Sequence, residues 1–216
     1  MARLEIILNN NIEQGSPEWH ALRKTKITAT DACVIMGASP WKTRMQLYNE
    51  KISEDPPSPP NERMRRGLEL EPMARDLFTI YTGIFVSPRV VVKDWAMASL
   101  DGMSDNGDSI VEIKCPGSVD HAAAFSGKIP DHYFPQIQHQ LYVTGLPIAH
   151  YFSFDGKDGV VLIIPRDDDY IEAMIEEEKK FYDCIVNRIP PAPSEKEVHT
   201  FEWKAEYKDG RYTTSK

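Results

Sequence analysis

The run Ser99-Leu100-Asp101-Gly102, followed by Met103-Ser104-Asp105-Asn106-Gly107-Asp108-Ser109 and then Ile110-Val111-Glu112-Ile113-Lys114-Cys115-Pro116, decides how this chain folds. Asp105-Asn106-Gly107-Asp108 is a strong turn signal, since Asn-Gly tolerates the positive φ angles of a tight hairpin. β-prone runs at 96–100 and 109–115 flank it. Side chains alternate on a strand, so Glu112 and Lys114 share one face, about 6.6 Å apart, while Val111 and Ile113 point to the other. Closing the hairpin brings Asp101 beside Glu112. Two carboxylates and an ammonium then occupy one small site.

That combination suits phosphodiester hydrolysis. Hard oxygen donors hold Mg²⁺ and leave water in the remaining positions. The ion lowers the pKa of a bound water and offsets charge in the transition state. A lysine beside it orients the attacking water, or acts as its base if its own pKa is depressed. A lone E-x-K is common, and its competing reading is a solvated strand face with a surface ion pair. Asp101, the turn and the apolar strand context favour the site.

Working outward, Ser16-Pro17-Glu18 opens a helix with a Ser cap, Pro in the first turn and an acid beside it. Thr28-Ala29-Thr30-Asp31 starts a second short helix that Gly37 ends. Ser39-Pro40-Trp41 predicts the start of a third, with Leu47 and Tyr48 inward. Residues 53–61 contain four prolines in nine positions and read as a loop. A helix is expected after Gly67, burying Met73, Ala74, Leu77, Phe78 and Tyr81 and closing at Gly83. Further strands are expected at 84–86, 89–93, 149–154 and 159–164, and helices around 121–125, 133–144 and 168–188. The tail after Pro190 reads as irregular. Helices, a meander, helix, two strands and helix make an α/β or α+β sandwich around one mixed sheet, and residues 1–216 read as a single domain.

Composition bounds the rest. The 216 residues carry 25 Lys and Arg against 33 Asp and Glu, a net charge of −8, with 41% hydrophobic residues. That excludes wholesale disorder and coiled-coil arrays, and an acidic chain binds nucleic acid only through local clustering. No window is apolar enough for a membrane span. The N-terminus lacks the basic region and cleavage site of a signal peptide. Cys33, Cys115 and Cys184 are odd in number and far apart, so they read as reduced thiols of a cytosolic protein.

Other candidates have plainer readings beside the functional ones. Glu71 offers a third carboxylate or an i,i+4 pair with Arg75. Gln136 and Gln138 lie two apart on a helix, so at most one faces a site. His132 and His139 read as structural. Asp167-Asp168-Asp169 reads as helix capping. There is no Walker loop, G-x-G-x-x-G, G-x-S-x-G or zinc signature.

Four blocks together resemble the phage lambda exonuclease family, the viral recombinase-type branch of the PD-(D/E)xK nucleases. They are Trp19-His20-Ala21-Leu22-Arg23 with Ile27-Thr28-Ala29-Thr30; Gly67-Leu68-Glu69-Leu70-Glu71 with Ala74-Arg75; Ser99-Leu100-Asp101-Gly102 with Glu112-Ile113-Lys114-Cys115-Pro116; and Gln136-Ile137-Gln138 with Tyr142-Val143-Thr144. The resemblance implies a restriction-endonuclease-like α/β core, a mixed central sheet flanked by helices. It implies Asp101, Glu112 and the Ile113 carbonyl as ligands for Mg²⁺, with Mn²⁺ able to substitute, Lys114 as the catalytic lysine, and Glu71 near a second metal. Arg23, Thr30, Ser99 and Gln138 would line a pocket for a DNA 5′-phosphate. Thr30 departs from the family's frequent Ser but keeps the hydroxyl, and Leu100 stands where the motif has Pro. A strand-separating wedge is expected in a loop between Pro60 and Met64.

The activity so implied is a 5′→3′ exonuclease on double-stranded DNA ends, releasing mononucleotides and leaving a 3′ single strand. It would act as a ring-shaped, processive homotrimer beside a single-strand annealing recombinase, in the cytoplasm of a bacterial host, encoded by a phage or prophage. The alternatives are a restriction-like endonuclease and a non-catalytic DNA-end binding module.

Overall fold

The computed structural model describes residues 12–56 and 59–192 in full, together with the backbone of three strands at 7–8, 204–208 and 211–215. The strands are β1 (Ile7–Leu8), β2 (Ile27–Thr28), β3 (Val86–Lys93), β4 (Ala96–Ser104), β5 (Ile110–Lys114), β6 (Ile148–Phe154), β7 (Gly159–Pro165), β8 (Lys204–Lys208) and β9 (Arg211–Ser215). The helices are α1 (Pro17–Thr25), α2 (Ala29–Ile35), α3 (Arg44–Ile52), α4 (Glu62–Thr82), α5 (Ser118–Phe125), α6 (Phe134–Thr144) and α7 (Asp168–Asn187), with a 3₁₀ turn at Asp131–Tyr133.

All nine strands join one mixed sheet in the order β1-β3-β4-β5-β6-β7-β9-β8, with β2 paired to β4. β3–β4–β5 is an antiparallel meander, whereas β5 and β6 run parallel, Glu112 opposite Tyr151. A parallel neighbour needs a crossover, and α5 and α6 supply it.

Helices cover both faces. On one, Ala98, Leu100, Ile110, Tyr151 and Leu162 form a core with Ala32 of α2, Ile137 and Leu141 of α6, and Ile171 and Met174 of α7. On the other, Val111, Ile113, Phe152 and Phe154 pack on Ala74 and Phe78 of α4. Val111 and Ile113 thus turn towards α4, leaving Glu112 to the α6 side, as alternation predicts. Phe78 is fully buried, and truncating such an aromatic costs about 3–5 kcal/mol.

The β4–β5 ladder pairs only Gly102 with Val111 and Met103 with Ile110. Gly102 permits that approach: a Cβ there would lie 2.7 Å from Val111 Cγ1 and 2.8 Å from Val86 Cβ. Beyond this pair a side chain replaces the backbone, as the Ile113 N–H donates to Asp101 Oδ2 at 2.8 Å.

The expected mixed sheet flanked by helices is present, and several local expectations need correction. Ser39-Pro40-Trp41 is a turn in which Ser39 Oγ accepts the N–H groups of Trp41 and Lys42. α3 starts later, after a Thr43 cap that accepts Gln46 N at 3.2 Å. α4 begins at Glu62, capped by Asn61, and runs through Gly67 and Pro72. The interval 60–64 therefore ends in helix rather than loop, with Met64 exposed on the first turn. The runs at 84–86 and 89–93 are replaced by one strand, Val86–Lys93, with a bulge between Ser87 and Arg89 near Pro88. The tail is not irregular throughout: β8 and β9 pair with each other, and β9 runs parallel to β7.

Candidate active site

β4 and β5 carry the central acids and α6 supplies their polar ceiling. Glu112 is 1% exposed, yet both of its oxygens have donors. Lys114 Nζ and Gln136 Nε2 donate to Oε1, the latter at 2.5 Å, and Gln140 Nε2 donates to Oε2. Gln136 and Gln140 are four apart and share a helix face. Gln140 was not anticipated from the sequence, although its spacing from Gln136 was the available signal.

From the other side, Arg75 Nε of α4 donates to the Asp101 carbonyl at 2.8 Å, and its Nη2 pairs with Glu71 Oε1. The i,i+4 pair read from sequence therefore forms, and it sits against the strand of Asp101. Arg66 ties α4 to the end of β5, donating to the carbonyls of Cys115 at 2.9 Å and Asp155 at 2.5 Å.

The electrostatics are uneven. Burial and the neighbouring Glu112 push the Asp101 carboxyl well above the usual carboxylate range, only partly opposed by Lys114. Burial alone would lower the pKa of Lys114, but Glu112 and Asp101 outweigh it and raise it above its ordinary value. Buried negative charge is in excess, as expected where a cation is to be received.

Among the described residues, no set of three or more His, Cys, Asp and Glu is arranged to hold a metal ion. The reason is local: the oxygens of Glu112 and one of Glu71 are engaged by nitrogen donors instead of converging. The residue types nonetheless fit a hard divalent cation. Asp101, Glu112, Glu71 and the Ile113 carbonyl are all oxygen donors, and Asp101 uses Oδ2 alone to accept the Ile113 N–H.

A second cluster adjoins on the β4 side. Arg23, in the last turn of α1, lies over the Trp19 ring at 4.5 Å and donates to Thr30 Oγ1 at 3.2 Å. Thr30 Oγ1 is also 3.0 Å from Thr28 Oγ1. Trp19 Nε1 donates to Ser99 Oγ at 2.7 Å, and Ser99 is two residues before Asp101. Arg23, Thr30 and Ser99 are thus brought together, with Trp19 as the unanticipated link between them. A buried pair braces the cluster: Lys51 Nζ meets Asp31 Oδ2 at 2.6 Å and accepts its place at the end of α1 by donating to the Arg23 and Lys26 carbonyls. Asp31 in turn accepts Thr28 N at 2.8 Å.

Gln138 does not join this cluster. It is fully buried, its Nε2 donates to the Pro165 carbonyl at 2.9 Å, and its Oε1 accepts Asp167 N at 2.9 Å. Both ends of the amide thus serve the β7–α7 junction, which corrects its assignment to the phosphate pocket. His139 is structural as read, between Glu178 Oε1 at 2.7 Å and the Met97 carbonyl at 3.1 Å. Asp167 caps α7 through Tyr170 N. The three cysteines are free. A cavity of about 650 Å³ lined by Phe85, Ser104, Asp105, Pro147 and Ile148 contains none of the clustered acids and bases. Among the described residues no helix is long and apolar enough to cross a membrane.

Comparison with known proteins shows what this chain is similar to in sequence and fold. The alkaline exonuclease LHK-Exo of Laribacter hongkongensis superposes with a TM-score of 0.70 at 28% identity, covering 81% of this chain and 94% of that one. LHK-Exo in complex with dAMP gives 0.72 at 29% identity over the same shares. A phage-related exonuclease from Haemophilus somnus, 16% identical with a TM-score of 0.57 over 76% of this chain and 96% of that one, shares the fold. The uncharacterized protein YqaJ of Bacillus subtilis is 28% identical over 196 residues, 86% of this chain and 61% of that protein. The uncharacterized protein R354 of a mimivirus is 26% identical over 66% of this chain and 29% of that one. The chain therefore spans about three fifths and under a third of these curated relatives. The YqaJ-like viral recombinase domain matches residues 18–147, from the helix bearing Trp19 to just past α6, and the chain belongs to that lambda exonuclease-like family.

Proposed function

We propose that this chain is a metal-dependent 5′→3′ exonuclease on double-stranded DNA ends. The observation that carries the reading is the adjacency of two differently built clusters: buried acids with a lysine at Asp101, Glu112 and Lys114, and Arg23 with two hydroxyls at Thr30 and Ser99, linked through β4. The likeness to LHK-Exo, solved with a nucleoside monophosphate, supports it.

A divalent cation such as Mg²⁺ or Mn²⁺, held by Asp101, Glu112, the Ile113 carbonyl and Glu71, would stabilise charge on the reacting phosphate and activate water. Lys114 orients that water from Nζ. Gln136 and Gln140 fix the Glu112 carboxylate, and Arg75 fixes Glu71 and the Asp101 backbone. Water attacks phosphorus, the P–O3′ bond breaks, and the departing nucleotide takes the proton on its 3′ oxygen. The strand left behind carries a new 5′-phosphate, which the forked guanidinium of Arg23 grips with the Thr30 and Ser99 hydroxyls. Refilling this pocket after each cut draws the end forward. Met64, exposed on the first turn of α4, would be the wedge residue of the 60–64 interval in this reading.

A ring-shaped homotrimer, a single-strand annealing recombinase as partner, and action inside a bacterial host on behalf of a phage or prophage belong to the same proposal. The test is digestion of linear duplex with a 5′-phosphate, linear duplex with a 5′-hydroxyl, and closed circular duplex, with and without Mg²⁺. Linear DNA should be degraded from phosphorylated 5′ ends only with metal, and the circle should survive. Cutting of the circle would overturn the requirement for ends.

A further inference from the structure

Trp41 is 62% exposed, in contrast to Trp19 and Trp95, which are partly buried. An exposed Trp forfeits the burial that normally justifies so large a ring. Its position is nevertheless defined. The turn follows Gly37, whose φ of +74 a side chain would resist, and Ser39 Oγ accepts the N–H groups of both Trp41 and Lys42.

Trp41 begins a row of rings that leads to Lys114. Its centroid is 4.7 Å from that of His132, nearly perpendicular to it. His132 lies 4.0 Å from Tyr133, and Lys114 Nζ stands 5.2 Å over the Tyr133 ring. Tyr133 leans in turn on Tyr151 of β6 at 5.8 Å. Since the sheet order is β4–β5–β6, the Arg23 and Ser99 cluster flanks Lys114 on the β4 side and the row of rings flanks it on the β6 side.

The charge around the row decides what it can receive. Lys42 is paired with Glu50 at 2.5 Å. His132 faces Asp120 at 4.0 Å, and burial holds its imidazole below the usual pKa, so the ring is uncharged at neutral pH. Aromatic faces beside carboxylates repel phosphate and accept the π-face of an uncharged base.

We infer that Trp41, backed by His132 and Tyr133, is a stacking step for the base immediately 3′ of the scissile phosphate, in the strand being digested. This rests on the exonuclease reading above. A strand with its 5′-phosphate at Arg23 and its scissile phosphate at Lys114 continues towards Trp41, and a base stacked there holds the next phosphodiester in register.

The test is the rate of the first cut by the full chain on 5′-phosphorylated linear duplex, comparing wild type, Trp41→Ala and Trp41→Phe. The alanine variant should be slower by about tenfold or more, the size of one lost base–aromatic stack, and phenylalanine should restore most of the rate. An abasic residue at the second nucleotide should slow wild type by a similar factor and leave Trp41→Ala no slower than before. An abasic residue several nucleotides further in should change neither. An alanine variant as fast as wild type, or an abasic effect of equal size in both proteins, overturns the stacking step. So does a change in oligomeric state of Trp41→Ala by light scattering, which would make Trp41 a subunit contact. Failure of wild type to cut any linear duplex is a separate result, which removes the exonuclease reading itself.

Discussion

Two buried ionic groups in this molecule are built from similar parts and balanced differently. His139 and Glu178, linking α6 to α7, pair one imidazole with one carboxyl group, both fully enclosed. Burial pulls the His139 pKa down, but Glu178 outweighs it and raises it above its usual value. At Asp101, Glu112 and Lys114 the acids outnumber the lysine, and Asp101 is driven towards its neutral form. A structural pair closes its charge within the fold. The β4–β5 cluster leaves buried negative charge in excess, so the two should respond oppositely to substitution.

The largest difference is in catalysis. Lys114→Ala should reduce cleavage by about a hundred- to ten-thousandfold in a steady-state assay while the chain stays folded and still binds DNA ends. Near-normal turnover would place the chemistry elsewhere.

Next is stability at the balanced pair. His139→Ala should cost about 3–5 kcal/mol in urea unfolding, because it strands a buried Glu178 carboxylate. The contribution depends on pH in a definite direction. A raised folded-state pKa gives full stabilisation below the unfolded value of about 6.5, lost as pH rises through the folded value. The stability gap between wild type and His139→Gln should therefore narrow as pH rises above about 6.5. A widening gap would mean that His139 is buried neutral.

Smaller is the effect at the neighbouring Arg23 cluster. Arg23→Ala should shrink the preference for 5′-phosphate over 5′-hydroxyl ends by about tenfold, the worth of a charge-assisted hydrogen bond. An unchanged preference in competition digests would separate Arg23 from phosphate binding.

Smallest, and of opposite sign to His139→Ala, is Asp101→Asn. It relieves repulsion from Glu112 and keeps an acceptor for the Ile113 N–H, so the metal-free protein should gain about 0.5–2 kcal/mol while losing cleavage. A loss of stability would show that the cluster is already balanced.

Much of this contrast is legible in the chain. Alternation on β5 places Glu112 opposite in sense to Val111 and Ile113, and Asn106-Gly107 closes the hairpin that delivers Asp101. What sequence reading misses is long-range. Gln138 and Gln140 are the same residue type two positions apart, and only the packing of α6 between the sheet and α7 sends one to Pro165 and the other to Glu112. Trp19 stands in the first matching block with no role of its own until its N–H is found on Ser99, eighty residues away. Gly67 reads as the boundary of the helix, yet α4 passes through it from Glu62, fastened by Arg66 and Arg75 to loop and strand carbonyls. The β8–β9 pairing did carry a local signal, the Asp209-Gly210 dipeptide between two β-prone runs.

The short β4–β5 ladder has one more consequence, for measurement. The Ile113 amide proton is held by a single carboxylate and not by a strand, so its exchange with solvent is gated by one side chain. In a nuclear magnetic resonance spectrum this amide is a built-in reporter of Asp101. Its shift and protection register whether that carboxylate is ionised, protonated or drawn away, without a label and without any turnover of DNA.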